Sequence, residues 1–228
     1  MDLLDVGCGP GTITCDLARS VAPGRVVGID AAASVIEEAK AVATGNLPIS
    51  FEVGDLFHLR FEDESFDVVH AHQVLQHVGD PVAALAEMRR VARPGGIVAV
   101  RDGDFPSMRY FPEDPEIERS LATYGALTKI NGANWDSGRR LLQWALQIDF
   151  SSVAPSASAW CFATPDERAW WGDLWADRFT KSALADQLLD HELATQGDLR
   201  SFADAYRRWA AASDGWFAML NGELICTV

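Results

Sequence analysis

Three glycines, Gly7, Gly9 and Gly11, follow the apolar run Leu3-Leu4-Asp5-Val6 and precede a helical pattern that begins at Thr12. Glycines at a strand-to-helix turn let a ligand lie on the backbone itself, beside the positive end of the helix. A dinucleotide-binding turn is built in a related way. Its third glycine falls one residue later, however, where this chain has Thr12, and a pyrophosphate gains nothing from an acid at Asp5. Two more acids close expected strands. Asp30 ends Val26-Val27-Gly28-Ile29-Asp30, where a carboxylate can accept both hydroxyls of a ribose. Gly54-Asp55-Leu56 ends a third apolar run, where a carboxylate can accept from an adenine amino group. Three strand ends thus converge on one nucleoside, although the loop can also be read as an ordinary turn and Asp30 and Asp55 as helix caps.

Acid-base candidates stand nearby. His70 and His72 share one side of an expected strand, and with His77 they raise a metal site. No Cys, Asp or Glu stands at a fitting spacing, so no metal is expected, His70 is assigned to core packing, and His72 or His77 to a cofactor or substrate contact. Asp102 and Asp104 follow the fifth expected strand, at the substrate mouth of such a sheet, where an acid can equally be a solvated loop residue. If a nucleophile carries a proton, the candidate bases are His72, His77, Asp102 and Asp104, in that order.

Positioning these groups requires alternating strands and helices. Strands are expected at Leu3–Val6, Val26–Asp30, Ile49–Val53, Phe66–Ala71 and Gly96–Arg101, and helices at Thr12–Val21, Ala33–Ala43 and Pro81–Val91, the last capped by Asp80. Pro94-Gly95-Gly96 is expected to stop that helix and launch the fifth strand. That order is the signature of a parallel sheet. Beyond Gly103 the character changes: prolines crowd Phe105–Pro115, and all eight tryptophans lie between Trp135 and Trp216. Helices are expected at Ser137–Ile148, Asp166–Phe179 and Leu199–Ala212, and a strand at Ala157–Ala163. Asn221-Gly222, between Trp216–Leu220 and Glu223–Val228, reads as a hairpin turn or as a kink in one long strand. The expected division is a core over 1–102 and a helical, tryptophan-rich lid with the last strands over 103–228, both within one domain. The tryptophans are expected to fill the lid's own core or to offer faces to an apolar substrate.

A formal charge of −14 repels phosphate backbones, so nucleic acid is not expected as a partner. No apolar run approaches the ~20 residues of a membrane span. Cys8, Cys15, Cys161 and Cys226 form no CxxC pair and suggest neither a zinc knot nor a disulfide framework, which fits a reducing cytoplasm. A secretory signal is not expected, since no charged stretch followed by an apolar one stands ahead of the first expected strand.

LLDVGCGPGT, VVGID, FEVGDLFHLRFEDESFDVVHAHQVLQHVGDP and EMRRVARPGGIVAVRD resemble the class I S-adenosylmethionine-dependent methyltransferases, and within them the small-molecule group that includes ubiquinone and menaquinone biosynthesis enzymes. The resemblance covers residues 2–102 well and the rest weakly. It implies a Rossmann-like, mostly parallel seven-stranded α/β sheet with an antiparallel last strand. It also implies that Gly7, Gly9 and Gly11 line the methionine moiety of S-adenosylmethionine and that Asp5 sits near its ammonium. Asp30 would hold the ribose, Asp55 and Leu56 the adenine, and His72 and Gln73 the floor. The expected reaction is in-line methyl transfer to a small-molecule acceptor, with a homodimer as the assembly allowed for. Two competing readings stay open: a non-catalytic S-adenosylmethionine-binding protein, and an NAD(P)-dependent oxidoreductase, which Thr12 and Asp55 disfavour. Such methyltransferases carry helices before the first strand, so a chain opening on that strand is expected to bind the cofactor more weakly than a longer form.

Overall fold

The computed structural model describes residues 1–43 and 47–228. In chain order the elements are β1 (Leu3–Val6), α1 (Thr12–Val21), β2 (Val26–Asp30), α2 (Ala33–Val42), β3 (Ile49–Val53), β4 (Phe66–His72), α3 (Pro81–Val91), β5 (Ala92–Gly103), β6 (Arg109–Phe111), α4 (Pro115–Ile130), α5 (Ser137–Ala145), β7 (Ser152–Phe162), α6 (Pro165–Lys181), α7 (Ala183–Asp190), α8 (Gln196–Ala211) and β8 (Trp216–Thr227). They fold into two compact units. One takes Met1–Gly103, Ser137–Ala157 and Gly222–Val228, the other Asp104–Asp136 and Ser158–Asn221.

The first unit is the expected Rossmann-like sheet. Strands β3-β2-β1-β4-β5 lie side by side in that order and parallel, and β8 follows β5. β8 runs antiparallel, since Val228 exchanges backbone bonds with Gly95 and Gly96 while Glu223 stands beside Arg101. β7 pairs with β8 as well. An eighth strand beyond the expected seven, the three-residue β6 (Arg109–Phe111), belongs to the second unit and pairs antiparallel with Trp216–Ala218 of β8. Every residue of β1 is buried, as suits a central strand covered on both faces. Alternation along it divides the core. Leu4 and Val6 pack with Met88 of α3 and Trp144 of α5, whereas Leu3 packs with Ala18 and Val21 of α1.

Two punctuation signals turn out to serve other ends. Pro94-Gly95-Gly96 does not separate α3 from β5, because β5 already begins at Ala92. Phe66 pairs with Ala92 and Val68 with Ile97, so the intervening residues of β5 bulge out of the ladder. A bulge admits a proline without an N–H and a left-handed Gly95, whose φ is 75°. Asn221-Gly222 is likewise no hairpin turn but part of the continuous β8. A side-chain carbon on Gly222 would overlap the backbone of Gly138 in α5, so the glycine marks a close approach between helix and strand.

In the second unit, Trp171, Trp175 and Phe179 face α8 at successive turns of α6 and meet Phe202, Tyr206 and Trp209 in an aromatic core. The Trp171 indole donates to the Tyr110 hydroxyl at 3.0 Å and the Tyr206 hydroxyl bonds that of Ser120 at 3.0 Å, whereas the buried Trp175 Nε1 has no hydrogen-bond partner among the described residues. Capping boxes at Thr164/Glu167 and Thr195/Asp198 start α6 and α8. α4, which no expected helix covers, begins at the last of the prolines that crowd Phe105–Pro115. Asp114 accepts from the Glu116 N–H and Pro115 takes N1, so that proline starts a helix rather than breaking one. Among the described residues no helix is long and apolar enough to cross a membrane.

Gly222→Ala is expected to destabilise the chain by about 1–3 kcal/mol through overpacking, a melting-temperature loss of roughly 2–4 °C per kcal/mol. Gly79→Ala, whose new methyl would meet nothing within 4 Å, should stay within about 1 °C of wild type. Differential scanning calorimetry of both variants checks the pair, and equal losses would refute the close-approach account.

Candidate functional site

Between Val6 and α1 the backbone turns through Gly7-Cys8-Gly9-Pro10-Gly11. All three glycines have positive φ, 65°, 53° and 80°, a region that residues with a Cβ enter only under strain. A Cβ on Gly7 would also stand 2.5 Å from a Val74 methyl, while on Gly9 it would meet nothing within 4 Å. The tip of the loop is therefore bare backbone facing open space. Two bonds tie it to β2: the Cys8 N–H donates to the Ile29 carbonyl at 2.9 Å and the Gly9 N–H to the Asp30 carboxylate at 3.1 Å. Burial, then the charges of Asp5 and Asp30, pushes the Cys8 thiol up to about 12, which removes it as a nucleophile.

A cavity of about 290 Å³ opens beside the loop, at the carboxyl ends of β1, β2 and β4 and the turn after β3. This is where strand order reverses between β1 and β4, the position at which open parallel sheets form a binding crevice. Of the expected residues, Gly7, Asp30, Leu56, Gln73 and His77 wall it. Asp30 accepts from the Gly9 N–H at one oxygen and from the Ala32 N–H, 3.0 Å away, at the other. Each oxygen keeps a further lone pair. Leu56 joins Ile29, Val74 and Val78 on an apolar side. Gln73 is held left-handed at φ 60°, its N–H donating to the Arg101 carbonyl at 2.7 Å.

Other expected residues lie off that wall. Gly9 and Gly11 shape the loop. Asp55 is exposed and turns back on its own segment, accepting from the Phe57 N–H at 2.9 Å with its second oxygen 3.0 Å from His58 Nδ1. These contacts, the Phe57 N–H foremost, hold its carboxyl below the usual range. Asp5 is only 2% exposed. Its oxygens take the Thr14 hydroxyl at 2.6 Å and face His70 Nδ1 at 2.7 Å, joining α1 and β4 to β1.

The four acid-base candidates separate. His77, in the 3-10 turn Leu75–His77, is exposed and on the wall, its Nε2 3.1 Å from Gln76 Nε2. His72 instead accepts at Nε2 from Arg101 at 2.9 Å. Burial, then the Arg101 charge, holds its pKa down to about 4. Asp102 is 1% exposed and lies within β5 rather than after it. It accepts from the Leu75 N–H at 3.2 Å and the Gln76 N–H at 3.5 Å, and burial pushes its carboxyl up to about 7 against the pull of those donors. Asp104 belongs to the second unit, buried, with its N–H donating to the Leu220 carbonyl at 3.0 Å. Sequence reasoning missed Val74, which packs on Gly7 and walls the cavity, and the Arg101 contact to His72. Both stand within the segments that carry the family resemblance, but each acts through a partner distant in sequence, Gly7 for Val74 and His72 for Arg101, so no local signal marked the contact.

Comparison with known proteins agrees with this geometry. A family described as a methyltransferase domain matches residues 1–168. An uncharacterized methyltransferase of Schizosaccharomyces pombe is 35% identical across 98% of this chain and 83% of its own length. The demethylmenaquinone methyltransferase of Staphylococcus aureus is 38% identical across 48% of this chain, which spans 46% of that protein. The solved structure of Haemonchus contortus phosphoethanolamine N-methyltransferase 2 in complex with S-adenosyl-L-methionine superimposes with a TM-score of 0.62 over 100% of this chain and 48% of that one, at 17% identity, and so shares its fold. The chain belongs to the S-adenosylmethionine-dependent methyltransferases.

Proposed function

We propose that the chain transfers a methyl group from S-adenosylmethionine to a small-molecule acceptor, with the cofactor held in the crevice walled by Gly7, Asp30, Leu56 and Gln73. That crevice is the observation that carries the reading. Its donor set fits the cofactor: bare backbone at Gly9, a carboxylate with spare lone pairs on Asp30 for two ribose hydroxyls, and an apolar side at Leu56 and Val78 for a flat base. Asp55 closes the turn that presents Leu56, and Asp5 sets the loop from beneath. A charge of −14 supports a small acceptor over a nucleic acid.

When bound, S-adenosylmethionine supplies an electrophilic methyl on a sulfonium whose positive charge is lost on transfer. The protein's part is then mainly to align and to exclude water. Where the nucleophile carries a proton, His77 is the candidate base, being exposed on the wall with its Nε2 facing a neutral Gln76 amide, whereas His72 lies off the wall and accepts from the Arg101 guanidinium. Asp102 acts through others, holding Leu75 and Gln76 so that Gln73, Val74 and His77 keep their places.

Incubating the protein with S-adenosylmethionine and a fractionated metabolite pool should release S-adenosylhomocysteine. Release driven only by protein or RNA fractions would overturn the small-acceptor reading. Asp30→Ala should weaken cofactor binding at least tenfold by calorimetry, and Asp102→Asn up to about tenfold, since each lost bond contributes about 0.5–1.5 kcal/mol. Unchanged affinity in both would remove the cofactor from this crevice.

His72 gives a pH signature. It takes a proton near 6.5 when unfolded and only near 4 when folded, so the stability it contributes is complete above about 6.5 and is lost as pH falls through about 4. Melting temperatures from pH 8 to 4 should fall faster for wild type than for His72→Gln, with the pH profile of turnover unmoved by that substitution. Parallel melting curves, or a shifted turnover profile, would contradict this assignment.

A further inference from the structure

The second unit contains a cavity of its own, about 530 Å³, formed by the turn Phe105–Ser107, the β6 residues Arg109 and Tyr110, the first turns of α4 and the indole of Trp135. Its size is that of a small-molecule site. The walls are apolar: Phe105, Met108 and Ile117 are buried, and Tyr110, Leu121 and Trp135 each keep part of their surface in the opening.

The aromatic wall is held rigidly. Gly125 interrupts α4, and a Cβ there would stand 2.6 Å from Trp135 Cη2, so the helix omits a side chain where the indole lies. A glycine inside a helix costs about 1 kcal/mol relative to alanine, which the seating of that ring offsets. The Phe105 N–H donates to the Trp135 carbonyl at 3.0 Å, and the Phe105 ring leans on Tyr124 with centroids 5.5 Å apart. Tyr110 is fixed through its hydroxyl by Trp171. Three faces are therefore set before anything binds, which lowers the entropy lost on association.

The lining carries three carboxylates, on Glu113, Asp114 and Glu118, against one guanidinium, on Arg109. Arg109 turns onto the carbonyls of Pro106 and Met108, and the Asp114 carboxylate is occupied by the Glu116 N–H and by Arg208 at 2.7 Å. Glu113 and Glu118 are exposed, line the opening and make no ion pair among the described residues. Aromatic faces beneath two unpaired carboxylates favour a cation, by charge and by ring quadrupole, and the excess of carboxylates over the single Arg109 guanidinium disfavours an anion.

We propose that this cavity binds a small amphipathic cation, with a ring or branched aliphatic body seated on Phe105, Ile117 and Trp135 and a protonated or quaternary amine at the mouth beside Glu113 and Glu118. The test is calorimetric titration of the full chain, without S-adenosylmethionine, using 4-phenylbutylamine, 4-phenylbutyrate and 4-phenylbutanol. Its outcome is thus separate from that of the acceptor assignment. The amine is expected to bind at least tenfold tighter than the carboxylate. In the double variant Glu113→Gln/Glu118→Gln, both positions being exposed, that gap should shrink below threefold while the alcohol binds as to wild type. Ala122→Lys, which puts a cation on the cavity wall, should abolish amine binding without lowering the melting temperature. Equal binding of amine and carboxylate, no binding by the amine, a gap that survives the double variant, or amine binding untouched by Ala122→Lys would each overturn the proposal.

Discussion

A carboxylate buried in the middle of a sheet must find partners, because an isolated charge in a low-dielectric interior is strongly unfavourable. Asp5 finds two, the Thr14 hydroxyl and the His70 ring, and through them three elements share one anchor. β1 lies between β2 and β4, α1 covers it, and the glycine loop springs from the residue after its end. The loop cannot shift along β1 without stranding that charge. Its register then decides where Gly7 meets Val74 and where the Gly9 N–H meets Asp30.

Asp102 plays the complementary part on the far side of the crevice. Its carboxylate is spent on backbone N–H groups of the turn after β4, so that turn is gripped from beneath by β5. Gln73 is pinned to the same strand through Arg101 while adopting a conformation uncommon for a residue with a side chain. Two buried acids, one on each side, thus frame the opening without entering it. Acids at strand ends that appear suited to chemistry serve here to hold backbone in place.

The strand ends were legible because their chemistry is local. Gly7, Asp30 and Leu56 each follow a short apolar run, and a parallel sheet brings such ends together whatever else the chain does. What was not legible depends on partners distant in sequence. Nothing near Asn221-Gly222 reveals that Gly138 will press against it, so the sequence leaves both a hairpin turn and one long strand open, and the structure has the second. Pro94-Gly95-Gly96 looks like a helix stop until Phe66 and Val68 show that β5 bulges there. Asp5 and Asp102 are acids in strands, and only the identity of the groups facing them shows whether they look outward or are consumed inside. α4 was hidden for another reason: proline at N1 and proline in a loop are the same letter.

β5 pairs on one side with β4, a short distance back along the chain, and on the other with β8, whose residues follow more than a hundred positions later. During synthesis its second side is thus a bare strand edge, a template for unwanted pairing, until the final stretch leaves the ribosome. The bulge at Pro94 interrupts the ladder to β4, whereas on the waiting edge Gly95 and Gly96 pair with Val228. The seam between β5 and β8 is thus the last of these pairings to close, and until it does the sheet's newest edge has no neighbour of its own.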